Sequence, residues 1–216
     1  MAIYLDSALP EEARQAMDLG FVTGITTNPK LISKTGLLAS EVIVDLCAVF
    51  SGTVFYQLTA PTVSARRDEG KRMLALRPKQ IGLKIPASTE NMALVAEFSV
   101  AAPVSVTTLF NAAQGYLACE AGARYLLPYV NRTTRLRGDG LAFVAELAQV
   151  CKAVGRGTEV LAASIKSPEE AVAALLAGAR IVSAPLPVLL AMGHDPLSEQ
   201  AIAEFAEAVS AAQAPQ

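Results

Sequence analysis

Short apolar runs alternate with helical patterns from one end of this chain to the other. The runs are Ile3 to Leu5, Phe21 to Ile25, Thr53 to Leu58, Ile81 to Ile85, Val104 to Thr107, Arg124 to Tyr129, Glu159 to Ala163 and Arg180 to Ala184. Each is rich in β-branched residues, bounded by polar, Gly or Pro positions, and too short for a helix. Between them lie amphipathic stretches. Val42, Ile43, Leu46, Cys47 and Phe50 recur at helical spacing, as do Leu141, Val144, Leu147, Cys151 and Val154. Ser167-Pro168-Glu169-Glu170 has a complete helix start, with Ser as N-cap, Pro at the first position and Glu three residues after the cap, and Gly178 supplies a stop.

Eight strands, each followed by a helix, predict a closed parallel (β/α)8 TIM barrel. An open doubly wound sheet is the alternative. A further helix is expected near Ser198 to Val209, and the tail Ala211 to Gln216 is expected to fray. At 216 residues, with no linker or break in composition, the chain reads as one domain, 1–216, at the lean end for such a barrel.

The residues are 52% hydrophobic and 18% charged, with a net charge of −2. That supplies a large core and argues against disorder and against a nucleic-acid partner. The three cysteines, Cys47, Cys119 and Cys151, fall in expected helices among apolar neighbours and read as small buried hydrophobes. With one histidine, His194, no ordinary zinc set can be assembled, and neither a metal nor a cofactor is expected. The N-terminus MAIYLDSALP does not read as a secretion signal, and no run has the length of a membrane span, so the expectation is a cytoplasmic protein without a membrane partner.

The site of such a barrel lies at the C-terminal ends of its strands. The polar residues expected there are Asp6; Thr26, Thr27 and Asn28; Gln57 and Thr59; Lys84; Thr107 and Thr108; Tyr129, Asn131 and Arg132; and Ser164 and Lys166. Lys84 is the sharpest, because Ile81-Gly82-Leu83-Lys84-Ile85-Pro86 otherwise buries its side chains. Desolvation lowers an amine's pKa and frees it to attack a carbonyl. The other reading is a lysine whose head reaches water.

Asp6 reads either as a proton relay or as a strand-end cap. Thr26-Thr27-Asn28-Pro29 reads as a turn or as a set of hydroxyl contacts. Gln57 needs partners if buried, whether a water or the backbone. Tyr129 is either a general acid/base through water or a core aromatic. Arg132 with Ser164 suits a phosphate, although Arg132 also fits a surface ion pair. Arg66, Arg67, Lys71 and Arg72 read as a solvated helix face.

Taken together, Tyr4-Leu5-Asp6-Ser7, Gly24-Ile25-Thr26-Thr27-Asn28-Pro29, Leu83-Lys84-Ile85-Pro86, Ala112-Ala113-Gln114-Gly115, Pro128-Tyr129-Val130-Asn131-Arg132 and Leu161-Ala162-Ala163-Ser164 resemble, in order and spacing, the small transaldolase family. The likeness is greatest to its fructose-6-phosphate aldolase branch and runs over nearly the whole chain. The resemblance implies a Schiff base on Lys84, with Asp6 and Asn28 holding the ketose and relaying protons. It implies a catalytic water held by Gln57, Thr107 and Tyr129, with Tyr129 the acid/base, and a phosphate on Arg132 and Ser164. Gln57 and Tyr129 are similar to the aldolase branch, where transfer enzymes typically carry Glu and often Phe. The implied activity is cleavage or formation of the C3–C4 bond of a phosphorylated ketose such as fructose 6-phosphate. Transfer of a dihydroxyacetone unit is the nearest alternative, and a non-catalytic sugar-phosphate-binding barrel is a third.

Lys30, Leu127, Ser105 and Thr133-Thr134-Arg135 depart from the usual pattern, or vary within it, and bear on donor and acceptor choice. The resemblance also implies a homo-oligomer, a pentamer or decamer, with the last helix lying on a neighbour. The stripe Ile202, Phe205, Val209 permits this and equally permits packing on its own barrel.

Overall fold

A computed structural model describes residues 1–212, with side chains through residue 210. Eight parallel strands close in chain order into one barrel: β1 (Ala2–Asp6), β2 (Val22–Thr26), β3 (Thr53–Gln57), β4 (Ile81–Pro86), β5 (Val104–Thr107), β6 (Tyr125–Leu127), β7 (Glu159–Ala162) and β8 (Ile181–Ala184). The helices are α1 (Pro10–Asp18), α2 (Pro29–Thr35), α3 (Ala39–Val49), α4 (Val63–Leu76), α5 (Met92–Ser99), α6 (Ala112–Glu120), α7 (Val130–Arg137), α8 (Gly140–Val154), α9 (Pro168–Leu176), α10 (Leu186–Ala191) and α11 (Pro196–Ala212). The chain is thus a (β/α)8 TIM barrel with an added C-terminal helix. That helix starts two residues earlier and ends three later than its apolar spacing predicts. The end of the tail expected to fray, 213–216, lies outside the described residues.

All eight strands fall where the apolar runs predict, and the differences are local. β6 stops at Leu127 because Pro128 has no N–H for the ladder. Pairing resumes as a single bridge between Tyr129 and Ala163 beside β7. The Thr26-Asn28 segment is more than a turn. Asn28 caps α2, its Oδ1 accepting from the N–H groups of Lys30 and Leu31, and Pro29 takes the first helical position. Ser167 caps α9 as expected, accepting from the Glu170 N–H. The Glu170 carboxylate, however, accepts from the N–H of Lys166, one residue before the cap.

Alternation along the strands divides the core in two. Leu5, Ile25, Val54, Leu83, Ile85, Val106, Leu126, Val160 and Val182 point outward into the helix layer and are buried there. Each contributes roughly 1.5–3 kcal/mol by burial. Tyr4, Phe55, Leu127, Leu161, Ala163 and Ile181 form a separate cluster inside the barrel. Its floor is aromatic: Tyr4 stacks on Phe55 at 6.2 Å, and Tyr125 meets Phe55 edge-on at 5.8 Å. Glycines make room for these rings. A Cβ at Gly24 would stand 2.6 Å from the Tyr4 ring, and one at Gly82 would stand 2.6 Å from the Phe55 ring. The aromatic plug therefore closes the lower barrel and leaves the upper interior to polar side chains.

The three cysteines are free and buried in α3, α6 and α8. Among the described residues no helix is long and apolar enough to cross a membrane, and no group of three metal-binding side chains occurs.

Candidate active site

Above the aromatic floor, the inward positions turn polar on six strands: Asp6 on β1, Thr26 on β2, Gln57 on β3, Lys84 on β4, Ser105 and Thr107 on β5, and Ser183 on β8. The register aligns several of them directly. Asp6 is level with Thr26, and Lys84 lies between Gln57 on one side and Ser105 on the other.

Lys84 is 2% exposed, and its Nζ donates to the Thr27 carbonyl at 2.7 Å. Burial brings its pKa down from 10.5 to about 8, with the Asp6 charge opposing that fall. The amine is therefore substantially neutral in mildly alkaline solution. Asp6 shows the mirrored effect: burial raises its pKa, while Lys84 and the Thr26 hydroxyl hold it back. Thr26 Oγ1 donates to Asp6 Oδ1 at 3.0 Å and lies 2.7 Å from Ser183 Oγ. With the Thr26 proton committed to Asp6, the Ser183 hydroxyl is the donor to Thr26.

Across the mouth, Thr107 Oγ1 donates to the Tyr129 hydroxyl at 2.7 Å. Burial raises the Tyr129 pKa, and the Thr107 hydrogen bond and the Arg132 charge both oppose the rise. The Arg132 guanidinium lies over the Tyr129 ring, 4.6 Å from its centroid, rather than in the surface ion pair that its sequence also allowed. Ser164 follows Ala163, the residue bridged to Tyr129, and is held in the left-handed region at φ +63°. That conformation is uncommon for serine and recurs where side chains must be aimed.

Gln57 does not satisfy the backbone. Its Oε1 is buried without a hydrogen-bond partner, as is Ser105 Oγ. These two atoms belong to the residues flanking Lys84 in the barrel wall. Buried polar atoms are normally partnered by protein or by water, so these two are exceptions within the protein's own hydrogen bonding.

The other sequence candidates divide. Asn28 stands next to Asp6 and slightly lowers its pKa, while its oxygen caps α2. Lys166 is exposed, yet its charge reaches Asp6. Thr27 is wholly buried and donates to the Phe55 carbonyl. Thr59 is turned away from the mouth, its hydroxyl donating to Glu69 of α4. Thr108 Oγ1 is engaged with the Thr107 carbonyl and the Ala87 N–H, and the Asn131 amide donates to Glu170. Ser183 is a contributor that the sequence reading passed over. Counting alternate residues along Ile181-Val182-Ser183 would have placed it inward.

Comparison with known proteins identifies the family. The sequence model described as Transaldolase/Fructose-6-phosphate aldolase matches residues 3–215. Relatives named "Probable transaldolase" are 34% identical over 206 residues in Moorella thermoacetica, covering 95% of each chain, and 33% identical over 208 residues in Agathobacter rectalis, again covering 95% of each. A third, of the same name, from Halalkalibacterium halodurans, is 32% identical over 206 residues, covering 95% of this chain and 97% of its own. A buried lysine in the wall of a closed barrel, faced by an aspartate and a hydroxyl-supported tyrosine, thus occurs in a chain that belongs to the transaldolase/fructose-6-phosphate aldolase family.

Proposed function

We propose that this chain is a Schiff-base enzyme that cleaves or forms the C3–C4 bond of a phosphorylated ketose such as fructose 6-phosphate. The observation that carries the reading is Lys84, a dry amine with its pKa drawn down to about 8, facing Asp6 inside the barrel. Neutral Lys84 attacks the ketone carbon. Loss of water, with protons handled by Asp6, gives an iminium that accepts the electrons of the breaking bond. Tyr129, through a water held with Gln57 and Thr107, removes the proton of the C4 hydroxyl. The C3–C4 bond breaks, an enamine remains on Lys84, and the aldehyde phosphate leaves from Arg132 and Ser164. The enamine takes a proton at C3, and water hydrolyses the resulting iminium, releasing dihydroxyacetone. Thr26 and Asn28 hold the hydroxyls of the ketose part.

A second reading has its own support. The relatives are named as transaldolases, and a transfer enzyme shares every step up to the enamine, which then attacks an incoming aldehyde phosphate. Partnerless Gln57 and the Tyr129–Thr107 pair favour release, because they offer a place to hold the water that hydrolyses the adduct. Borohydride reduction in the presence of fructose 6-phosphate tests both readings. It is expected to fix a three-carbon unit on Lys84, and full activity in Lys84→Met would overturn them. Aldehyde-phosphate release without an added aldose phosphate separates cleavage from transfer.

A homo-oligomer in which α11 lies on a neighbouring subunit forms part of the proposal. The support is that Ile202, Phe205 and Val209 remain 67%, 71% and 57% exposed rather than packing on the barrel.

A further inference from the structure

Glu69 lies on α4, outside the barrel wall, in a stretch that the sequence reads as solvated. It is nevertheless buried. Its carboxylate collects four neutral donors: the Tyr56 hydroxyl at 2.6 Å, the Thr59 N–H at 3.0 Å, the Thr59 hydroxyl at 3.0 Å and the Ala60 N–H at 2.9 Å. A buried carboxylate costs free energy even when its lone pairs are filled, and an apolar residue would pack such a position more stably. What the charge achieves here is local. It gathers the backbone of Thr59 and Ala60, two and three residues beyond Gln57, the last residue of β3.

The same helix reaches the next strand. Arg66, one turn before Glu69, donates to Asn91 Oδ1 at 3.1 Å, and the Asn91 amide donates to the carbonyl of Pro86, the last residue of β4, at 2.8 Å. α4 thereby ties the ends of the two strands that carry Gln57 and Lys84 in register. Gln57 needs such support, because its Oε1 finds no partner in the barrel. Its position is fixed through the backbone, by the Leu58 N–H on the Lys84 carbonyl at 2.9 Å and by the loop held on Glu69.

We infer that Glu69 is a positioning residue for this site, setting Gln57 and the water beside Lys84 through the Thr59–Ala60 backbone. The inference rests on the proposed Schiff-base reaction for its kinetic consequence, and on the carboxylate network for its structural one. Glu69→Gln keeps the shape but replaces one acceptor with an amide donor among four donors, so the loop loses its clamp. With fructose 6-phosphate, kcat is expected to fall about ten- to hundredfold, as for small misplacements of reacting groups, with KM within about twofold. In a Gln57→Ala background the same change is expected to lower kcat by less than about twofold, since the two act as a unit. Tyr56→Phe, which removes one donor and keeps the ring, should show a smaller loss that also disappears in that background.

Amide hydrogen exchange reads the structural half without turnover. Protection is expected to drop at Leu58 to Ala60 in Glu69→Gln and to hold in the other strands. Wild-type kcat in both Glu69→Gln and Tyr56→Phe, or a loss just as large without Gln57, overturns the inference. Unchanged exchange at Leu58 to Ala60 overturns it even in a protein inactive on every ketose. Failure to trap ketose on wild-type Lys84 speaks instead against the proposed reaction.

Discussion

The Thr107 hydroxyl donates to the Tyr129 hydroxyl across 2.7 Å, so the tyrosine's own proton is free to point into the barrel mouth. The bond has a sign. It stabilises the phenolate and opposes the upward push that burial gives the Tyr129 pKa. Thr107→Val keeps the volume and removes the donor. The Tyr129 pKa then rises further, the limb on which kcat rises as Tyr129 gives up its proton moves to higher pH, and kcat falls about tenfold, the equivalent of roughly 1.4 kcal/mol. Tyr129→Phe removes the proton carrier and should lower kcat by about a hundredfold or more. Steady-state kinetics across pH on the two variants check both expectations.

Asp6 and Lys84 oppose each other's shifts, and this predicts a displaced pH profile. In the wild type, the rate of borohydride trapping should rise through about pH 8 as Lys84 loses its proton. The Asp6 charge holds that pKa up. Asp6→Asn removes the charge, so trapping should inflect below pH 8 while overall turnover drops for want of a proton carrier. Trapping rates measured from pH 6 to 10 on both proteins decide the matter. An inflection that stays in place or moves upward contradicts the assignment.

The barrel is legible in the sequence because each strand alternates outward Leu, Ile or Val with inward residues, and each connection carries its own helix signals. The polar mouth is legible for the same reason, since Asp6, Thr26, Lys84 and Thr107 interrupt runs that are otherwise apolar. Partnership is not legible. Nothing in the spacing of Thr59 shows that it turns outward to Glu69, because a strand end faces either way once its ladder stops. Glu69 itself looks like one more charge in Arg66-Arg67-Asp68-Glu69-Gly70-Lys71. Its burial depends on where α4 crosses β3, which is a tertiary fact. Arg132 is similar: an ion pair and an aromatic stack read alike until Tyr129 is placed beneath it.

The exposed stripe on α11 predicts association. A 17-residue helix with Leu197, Ile202, Phe205 and Val209 all more than half exposed is unlike the surface of a monomer. Phe205→Glu with Ile202→Glu places two charges on that stripe. Sedimentation should show wild-type protein sedimenting as an oligomer and the double variant shifted toward smaller species. Lys84 should still be trapped by ketose in the variant, because no described residue of α11 belongs to the mouth of its own barrel. A wild-type protein that sediments as a monomer rules the arrangement out.

Lys84 also predicts a stability cost that depends on pH. Its folded pKa, about 8, lies below the 10.5 of an ordinary lysine. Between those values the unfolded chain binds more protons than the folded one, so this group makes stability rise with pH across that window. Below about pH 8 the penalty is fully present, with an upper bound of about 3 kcal/mol from the size of the shift. Lys84→Met removes the buried amine and keeps an unbranched side chain of similar length. It also leaves the Thr27 carbonyl without its donor, which returns part of the gain. The variant is therefore expected to be inactive yet more stable than wild type at pH 7, by about 1–3 kcal/mol, with the difference shrinking toward zero or below as the pH approaches 10.5. Urea unfolding of both proteins at fixed concentration, at pH 7 and pH 10, gives the comparison, and titrations common to both cancel in the difference. A variant that is less stable at pH 7, or a difference that grows with pH, would mean that the amine is not held dry.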